Sequence, residues 1–165
     1  MASPATSSYL PALDVPHERE GVGNELQSTL HDLIDLSLIG KQLHWAVVGP
    51  LFRPLHLQLD ELVESWRELS DTVAERAVAL GFVPDGQARA VAAGSQVAPV
   101  ARGSLEDHIV VRGLVHRVAE VSERARERMS RLGDVDLASQ DVLIEVVREL
   151  EQQQWMLRAQ LGEHA

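Results

Sequence analysis

Apolar residues recur at intervals of three and four positions through four long stretches of the chain. The first stretch begins near Val22, and the others cover about 55–80, 104–132 and 137–161. A stretch of roughly 25 residues makes a helix about 38 Å long. The pattern predicts four long amphipathic helices and no convincing strand.

Proline and glycine mark where the predicted helices end and begin. Gly49, Pro50 and Pro54 interrupt the first pattern, since proline lacks the backbone donor that a helix interior needs. Ser104 followed by Asp107 resembles a capping box, which would open the third helix. The short breaks predict that the first two helices, and likewise the last two, form antiparallel hairpins.

One connection is much longer than the others. After stop signals at Gly81 and Pro84, residues 82–103 are rich in Ala, Gly, Val and Pro and would hold at most one short helix. About 20 residues are enough to cross the length of a bundle. Two hairpins joined by a single long crossover form the ferritin-like arrangement, so the sequence predicts an all-α four-helix bundle of that class.

Composition narrows the chemistry more than the fold. The chain has 165 residues, enough for one domain, and is 45% hydrophobic and 24% charged, as in a globular protein. Its 25 acidic and 15 basic residues give a net charge of -10, which makes nucleic acid a poor default partner. The sequence contains no cysteine, so any metal must be held by histidines and carboxylates.

The beginning of the chain differs from the rest. Residues 1–20 hold three prolines and show no sustained periodicity, so we expect a flexible arm there and the bundle over 21–165. The arm lacks the cationic start and long apolar run of a secretory signal, and no span of 18 apolar residues follows. We therefore expect a cytoplasmic protein without a membrane helix.

Two histidines and a carboxylate flank the predicted turn between the first two helices. His44 falls on the apolar stripe of the first helix, and His56 lies early in the second. Antiparallel packing would bring their imidazoles together, and Asp60 lies one helical turn beyond His56. Two histidines and one carboxylate suit Fe(II) and other first-row divalent ions.

A second acidic group lies further along the second helix. Asp71 and Glu75 are four residues apart and share a flank with His56. The 15 positions from His56 to Asp71 span about 22 Å, whereas metal–ligand bonds are about 2 Å long. A second chain packed antiparallel across a two-fold axis would bring its own acids to these histidines, giving two identical metal sites per dimer.

Other interpretations of these residues stay open at this level. A lone histidine on an apolar stripe is more often a core residue than a ligand, and acids such as Asp71 and Glu75 are often ordinary surface charges. His44, His56 and Asp60 would also suit a mononuclear enzyme that needs only one chain. Taken together, five ligand-type residues in register favour a site over coincidence.

The same residues carry a resemblance to a known family. Residues 44–60 read H-W-A-V-V-G, five residues, then L-H-x-x-x-D. Residues 71–84 read D-T-V-A-E-R, three residues, then L-G-x-x-P. This pair of motifs resembles the Dps family, the small ferritin-like proteins of bacteria.

The resemblance implies an activity and an assembly. It implies a di-iron ferroxidase centre at a dimer interface within a hollow dodecamer. The positions that match the iron ligands of the family are His44, His56, Asp60, Asp71 and Glu75. The implied chemistry is oxidation of Fe(II), often with hydrogen peroxide, and storage of the ferric product as a mineral, which protects against oxidative damage.

Iron would also need an entry route. Asp136, Asp141 and Glu145 lie at the start of the fourth helix, and similar acidic positions line three-fold pores in the family that the sequence resembles. Acids in the first turns of a helix are also favoured by its dipole alone, without any pore.

The termini depart from the DNA-binding members of that family, whose Lys/Arg-rich tails neutralise phosphates. Residues 1–20 hold three acids against one arginine, a balance of -2, and the whole chain has one lysine. We expect weak or absent DNA binding through the tails. The competing prediction is a nucleoid-compacting DNA-binding shell in which the metal site is secondary.

Overall fold

The computed structural model describes residues 16–162. Its elements, in chain order, are α1 (Pro16–Ala46), β1 (Val47–Val48), α2 (Phe52–Ala79), α3 (Ala88–Gly94), β2 (Leu105–Glu106), α4 (Asp107–Leu132) and α5 (Leu137–Gln160). The four long helices confirm the predicted all-α four-helix bundle, and α3 confirms the short helix in the long connection. Among the described residues, no helix combines the length and the apolar character needed to cross a membrane.

The bundle consists of two hairpins. α1 packs mainly on α2, and α4 on α5, while the connection from α2 to α4 places α3 against α1. Leucine and valine side chains from all four long helices form one core, in which Trp66 is fully buried. Trp66 Nε1 donates to Gln153 Oε1 at 2.7 Å, which joins α2 to α5 without leaving the indole N–H unpaired.

α1 begins earlier than predicted. It starts at Pro16, six residues before Val22, so residues 16–20 of the predicted arm are helical. Residues 1–15 lie outside the described part of the chain. Proline suits the first position of a helix, because the N–H that it lacks would have no acceptor within the helix.

α2 also begins earlier than predicted, and again a proline lies in the first turn of the helix. It starts at Phe52 rather than near Leu55, so Pro54 lies inside its first turn instead of before it. The first four N–H groups of a helix have no acceptor within that helix. A proline at this point therefore does not interrupt the helical hydrogen bonds.

A short parallel strand pair was not expected. β1 pairs with β2, with Val47 opposite Leu105 and Val48 opposite Glu106. Two residues are too few to show the alternation by which a strand is recognised in sequence. The pairing ties the turn between α1 and α2 to the beginning of α4.

The predicted capping box at Ser104 and Asp107 is wrong. α4 begins at Asp107 itself, and Ser104 lies ahead of β2. Pairing with β1 keeps the chain extended up to Glu106, so Ser104 lies too far from the first turn to cap it. The Asp107 carboxylate instead accepts the backbone N–H of Leu51 at 2.7 Å.

A buried ion cluster joins α1, α4 and the long connection. Asp32 is fully buried, and its Oδ2 accepts hydrogen bonds from Arg128 at 2.9 Å and from Arg124 at 3.0 Å. Its Oδ1 accepts the backbone N–H of Gln96 at 3.0 Å. Because removal of one member of a buried ion pair leaves the other charge uncompensated, this cluster should contribute strongly to stability.

We expect Asp32→Asn to lower the free energy of unfolding by about 3 kcal/mol, since both arginines lose their counterion. Glu25→Gln is the matched control, because Glu25 also joins α1 to α4 through Arg131, whose side chain is 53% exposed. The loss of unfolding free energy in Glu25→Gln should stay below about 1 kcal/mol. Urea denaturation at one protein concentration measures both variants, and equal losses would contradict the role of Asp32 as a buried anchor.

Candidate metal centre

His44 and His56 meet where the hairpin of α1 and α2 closes. His44 lies in the last turn of α1, and His56 lies in the first part of α2. Because residues 47–51 form a short turn, the two rings stack, with centroids 3.6 Å apart and planes inclined by 26°. His44 is buried and His56 is half-buried. The structure therefore brings together the two histidines that the sequence singled out.

Each imidazole is held by the backbone of the opposite helix. His44 Nδ1 lies 3.0 Å from the carbonyl oxygen of His56, and His56 Nδ1 lies 3.0 Å from the carbonyl oxygen of His44. A carbonyl oxygen can only accept, so both Nδ1 atoms donate and carry the proton. In the neutral rings the lone pair is then on Nε2, as a metal-binding histidine requires.

Asp60 lies beside this pair. Its Oδ1 is 3.3 Å from His44 Nδ1 and 2.5 Å from Lys41 Nζ. The hydrogen bond from Lys41 holds the pKa of the Asp60 carboxyl below its ordinary value of 3.8, against an opposing effect of desolvation. Asp60 is therefore ionised at neutral pH and can act as an anionic ligand.

Sequence reasoning misses Lys41. It is the only lysine in the chain and lies three residues before His44, on nearly the same face of α1. That spacing, next to a predicted ligand, is the signal that could have found it. Lys41 balances the charge of Asp60 within the chain.

The structure does not bring Asp71 and Glu75 to the histidines of the same chain. α2 is one continuous helix, so the 15 positions from His56 to Asp71 keep the two groups about 22 Å apart. Both carboxylates are exposed, and neither forms an ion pair or side-chain hydrogen bond with another described residue. Within the described part of one chain, no three histidine or acidic side chains are grouped so that they could hold a metal ion.

The three predicted pore residues lie in two different environments. The side chain of Asp136 is 11% exposed and accepts hydrogen bonds from Arg76, at 2.6 Å, and from Ser139. Asp136 thus anchors α5 to α2 within one chain. Asp141 and Glu145 are exposed instead, and they line an open groove of about 380 Å³ along α5. A role at a pore stays a prediction for these acids.

The chain matches proteins of known family over nearly its whole length. A family model described as a ferritin-like domain matches residues 23–165. The DNA protection during starvation protein of Mycolicibacterium smegmatis is 37% identical over 158 residues, which cover 94% of this chain and 85% of that protein. The chain belongs to the Dps family.

Solved Dps structures have the same fold as this Dps-family chain. The tetragonal form of Mycobacterium smegmatis Dps superposes with a TM-score of 0.88 at 36% identity, covering 97% of this chain and 96% of that one. Dps from Microbacterium arborescens in its high iron form gives a TM-score of 0.85 at 31% identity, covering 92% and 99%. The ferritin-like fold predicted from the sequence is therefore confirmed.

Asp136→Asn should lower the free energy of unfolding by an amount that depends on pH. Burial alone would raise the pKa of Asp136, but hydrogen bonds from Ser139 and Arg76 outweigh burial and hold the pKa below its ordinary value of 3.8. A pKa lowered by folding stabilises the fold above the unfolded value, and this contribution is lost as the pH falls through the folded value. We expect a loss of about 1–2 kcal/mol at pH 7 that shrinks as the pH falls below about 4, because the carboxyl is protonated there in the unfolded chain and at lower pH in the folded one.

Thermal unfolding of both proteins between pH 7 and pH 3 measures this difference. A loss that stays constant across the range would contradict the ionised anchor.

Proposed function

We propose that this Dps-family chain oxidises Fe(II) and stores the ferric product inside a hollow homo-oligomer. Iron is the substrate, and hydrogen peroxide is the expected oxidant. The site would lie across a two-fold axis, with His44, His56 and Asp60 from one chain. Asp71 and Glu75 of the partner subunit would complete it.

The observation that carries this proposal is that metal-ligand side chains are grouped near each end of α2, with His44 contributed by the end of α1. Beside the turn, His44 and His56 direct their protons to carbonyl oxygens and leave Nε2 for a metal, next to an ionised Asp60. Toward the other end, Asp71 and Glu75 are exposed and have no described partner. Antiparallel pairing of two α2 helices would unite the halves twice, once on each side of the axis.

The combined donors suit a pair of iron ions. Histidine nitrogens help retain ferrous iron, and carboxylate oxygens stabilise the ferric product. Two ferrous ions side by side can give two electrons to one hydrogen peroxide, which takes up two protons and forms two waters. Both electrons are then delivered at one site, so no hydroxyl radical is released.

Membership of the Dps family supports iron as the metal and a homo-oligomer as the form in which the chain acts. The Microbacterium arborescens Dps structure is described as a high iron form. For this chain we extend the proposal to a cytoplasmic dodecamer built from two-fold dimers, in which Asp136, Asp141 and Glu145 would lie near an entry pore. Of the three, Asp141 and Glu145 are the exposed acids that could attract cations.

A mononuclear enzyme that uses one chain is less well supported. His44, His56 and Asp60 are neighbours, but within one chain Asp71 and Glu75 lie about 22 Å away along α2. The described residues of a single chain also contain no group of three ligands poised for a metal ion. Additional carboxylates from another chain would supply what this half-site lacks.

A DNA-binding shell is the second candidate, because the Mycolicibacterium smegmatis relative is named for DNA protection during starvation. The charge of this chain indicates that DNA binding is less important than iron oxidation. Its net charge is -10, and its only lysine, Lys41, is paired with Asp60. We therefore place DNA binding after iron oxidation.

Subunit complementation tests whether the site is shared. His44→Ala and the double variant Asp71→Asn/Glu75→Gln should each lose ferrous oxidation by about a hundredfold, since the first removes one proposed ligand and the second removes two. When the two variants are reassembled in equal amounts, about half of the dimers combine unlike chains and contain one complete site, so activity should return to about a quarter of the unsubstituted level. Stopped-flow oxidation of Fe(II) by hydrogen peroxide measures the rates.

Glu123→Gln/Glu127→Gln is the matched control, because these α4 acids are also exposed and four residues apart. Its oxidation rate should equal that of the unsubstituted protein. Full oxidation by Asp71→Asn/Glu75→Gln alone, or no recovery in the mixture, would contradict a shared site.

Linear duplex DNA should bind weakly to the full-length assembly. Few phosphates can be neutralised by a chain of this charge, so filter binding between about 50 and 200 mM salt should show little change. Tight binding that falls steeply over this range would place DNA binding ahead of iron oxidation.

A further inference from the structure

A buried carboxylate outside the proposed ligand set holds the turn between α1 and α2. Asp107, the first residue of α4, is 7% exposed. Its Oδ2 accepts the Leu51 backbone N–H at 2.7 Å, and its Oδ1 accepts the His108 backbone N–H at 2.7 Å. The His108 ring nitrogen lies farther from the carboxylate, at 3.9 Å. Backbone amides and the positive end of the α4 dipole therefore provide most of the stabilisation of the Asp107 charge.

The turn fits closely around this carboxylate. Gly49 has a φ of +123°, which other residues rarely adopt, and a Cβ at this position would lie 2.6 Å from Asp107 Oδ2. Just before Gly49, β1 is paired with β2 through Val47 and Leu105. The turn is thus attached to the beginning of α4 at both of its ends, by strand pairing and by the hydrogen bond to Leu51.

This turn lies between the two histidines. His44 lies three residues before Val47, and His56 lies five residues after Leu51. The two hydrogen bonds from Nδ1 to the opposite carbonyl, each 3.0 Å long, depend on the register of α1 against α2. A different turn would shift that register and change the distance between the two Nε2 atoms.

We propose that Asp107 is a positioning residue for the metal centre, because it fixes the turn that sets the spacing of His44 and His56. The inference rests on the proposed function, since it takes these histidines to be metal ligands. Asp107 touches neither imidazole and acts through the backbone of the turn. Desolvation of a carboxylate is costly, and a carboxylate that only capped α4 would have no need to reach the other hairpin.

Cobalt(II) titration of the full-length assembly, without oxidant, separates positioning from stability. Asp107→Ala removes both acceptors and should weaken Co(II) binding by about tenfold. The visible d–d absorption of the bound ion should shift as well, because it reports the coordination geometry. Asp107→Asn retains one oxygen for the Leu51 N–H and should restore most of the affinity.

A second variant reaches the same contact from the other side. Gly49→Ala displaces the Asp107 carboxylate without removing it and should weaken Co(II) binding in the same direction. It keeps the inference testable if Asp107→Ala fails to assemble.

Asp35→Ala is the matched control. Asp35 also ties two segments of the chain together, accepting a hydrogen bond from Ser95 Oγ at 2.7 Å, but it lies nine residues before His44 and away from the turn. It should lower the unfolding temperature and leave the Co(II) affinity and spectrum unchanged.

The outcomes distinguish this inference from the proposed function. Unchanged affinity and spectrum in Asp107→Ala and Gly49→Ala would overturn the positioning role alone. An equal loss of affinity in Asp35→Ala would assign the effect to general destabilisation and would also overturn it. An unsubstituted protein that binds no Co(II) would overturn the proposed function, and this inference with it.

Discussion

A straight α-helix holds its residues at a fixed rise, and that rigidity limits the chemistry available to this chain. α2 is continuous over 28 residues, with Asp60 in its first third and Asp71 and Glu75 in its last third. At about 1.5 Å per residue, no side-chain rotation brings the last two acids to a cation held beside the turn. A cation that uses both groups therefore needs the surface of a second helix. On this view, assembly is part of the site and not an addition to a finished one.

Different contacts hold the two ends of α2. Beside the turn, side chains hold one another in place, since the stacked imidazoles donate to carbonyl oxygens and Lys41 holds Asp60. Toward the other end, Arg76 pairs with Asp136 and fixes α2 against α5, while the neighbouring Glu75 stays exposed. Both regions are held by contacts within the chain. In the proposed site, such preorganisation would reduce the entropy lost on binding.

The sequence predicts best those structural features that repeat along the chain. The helices repeat their apolar positions over many turns, so their existence is plain, but Pro54 suggests a break where the first turn of a helix needs no N–H. Proximity across a short turn, as between a histidine pair and Asp60, also follows from spacing. Contacts between distant segments leave no such pattern. The sequence misplaces Asp107 as a cap because its partner, Leu51, lies 56 positions away.

Acidic side chains divide in this structure according to their partners. Asp32, Asp107 and Asp136 are shielded from solvent and accept hydrogen bonds from arginine or backbone donors, so their charges are committed to the fold. Asp71 and Glu75 are exposed and have no described partner, so a cation could bind them without displacing a structural contact. Composition cannot make this distinction among 25 acids, because all have the same charge. The partners of each acid reveal this distinction, and they explain how a strongly acidic chain can build a stable bundle and still leave exposed carboxylates that the proposed metal site would use.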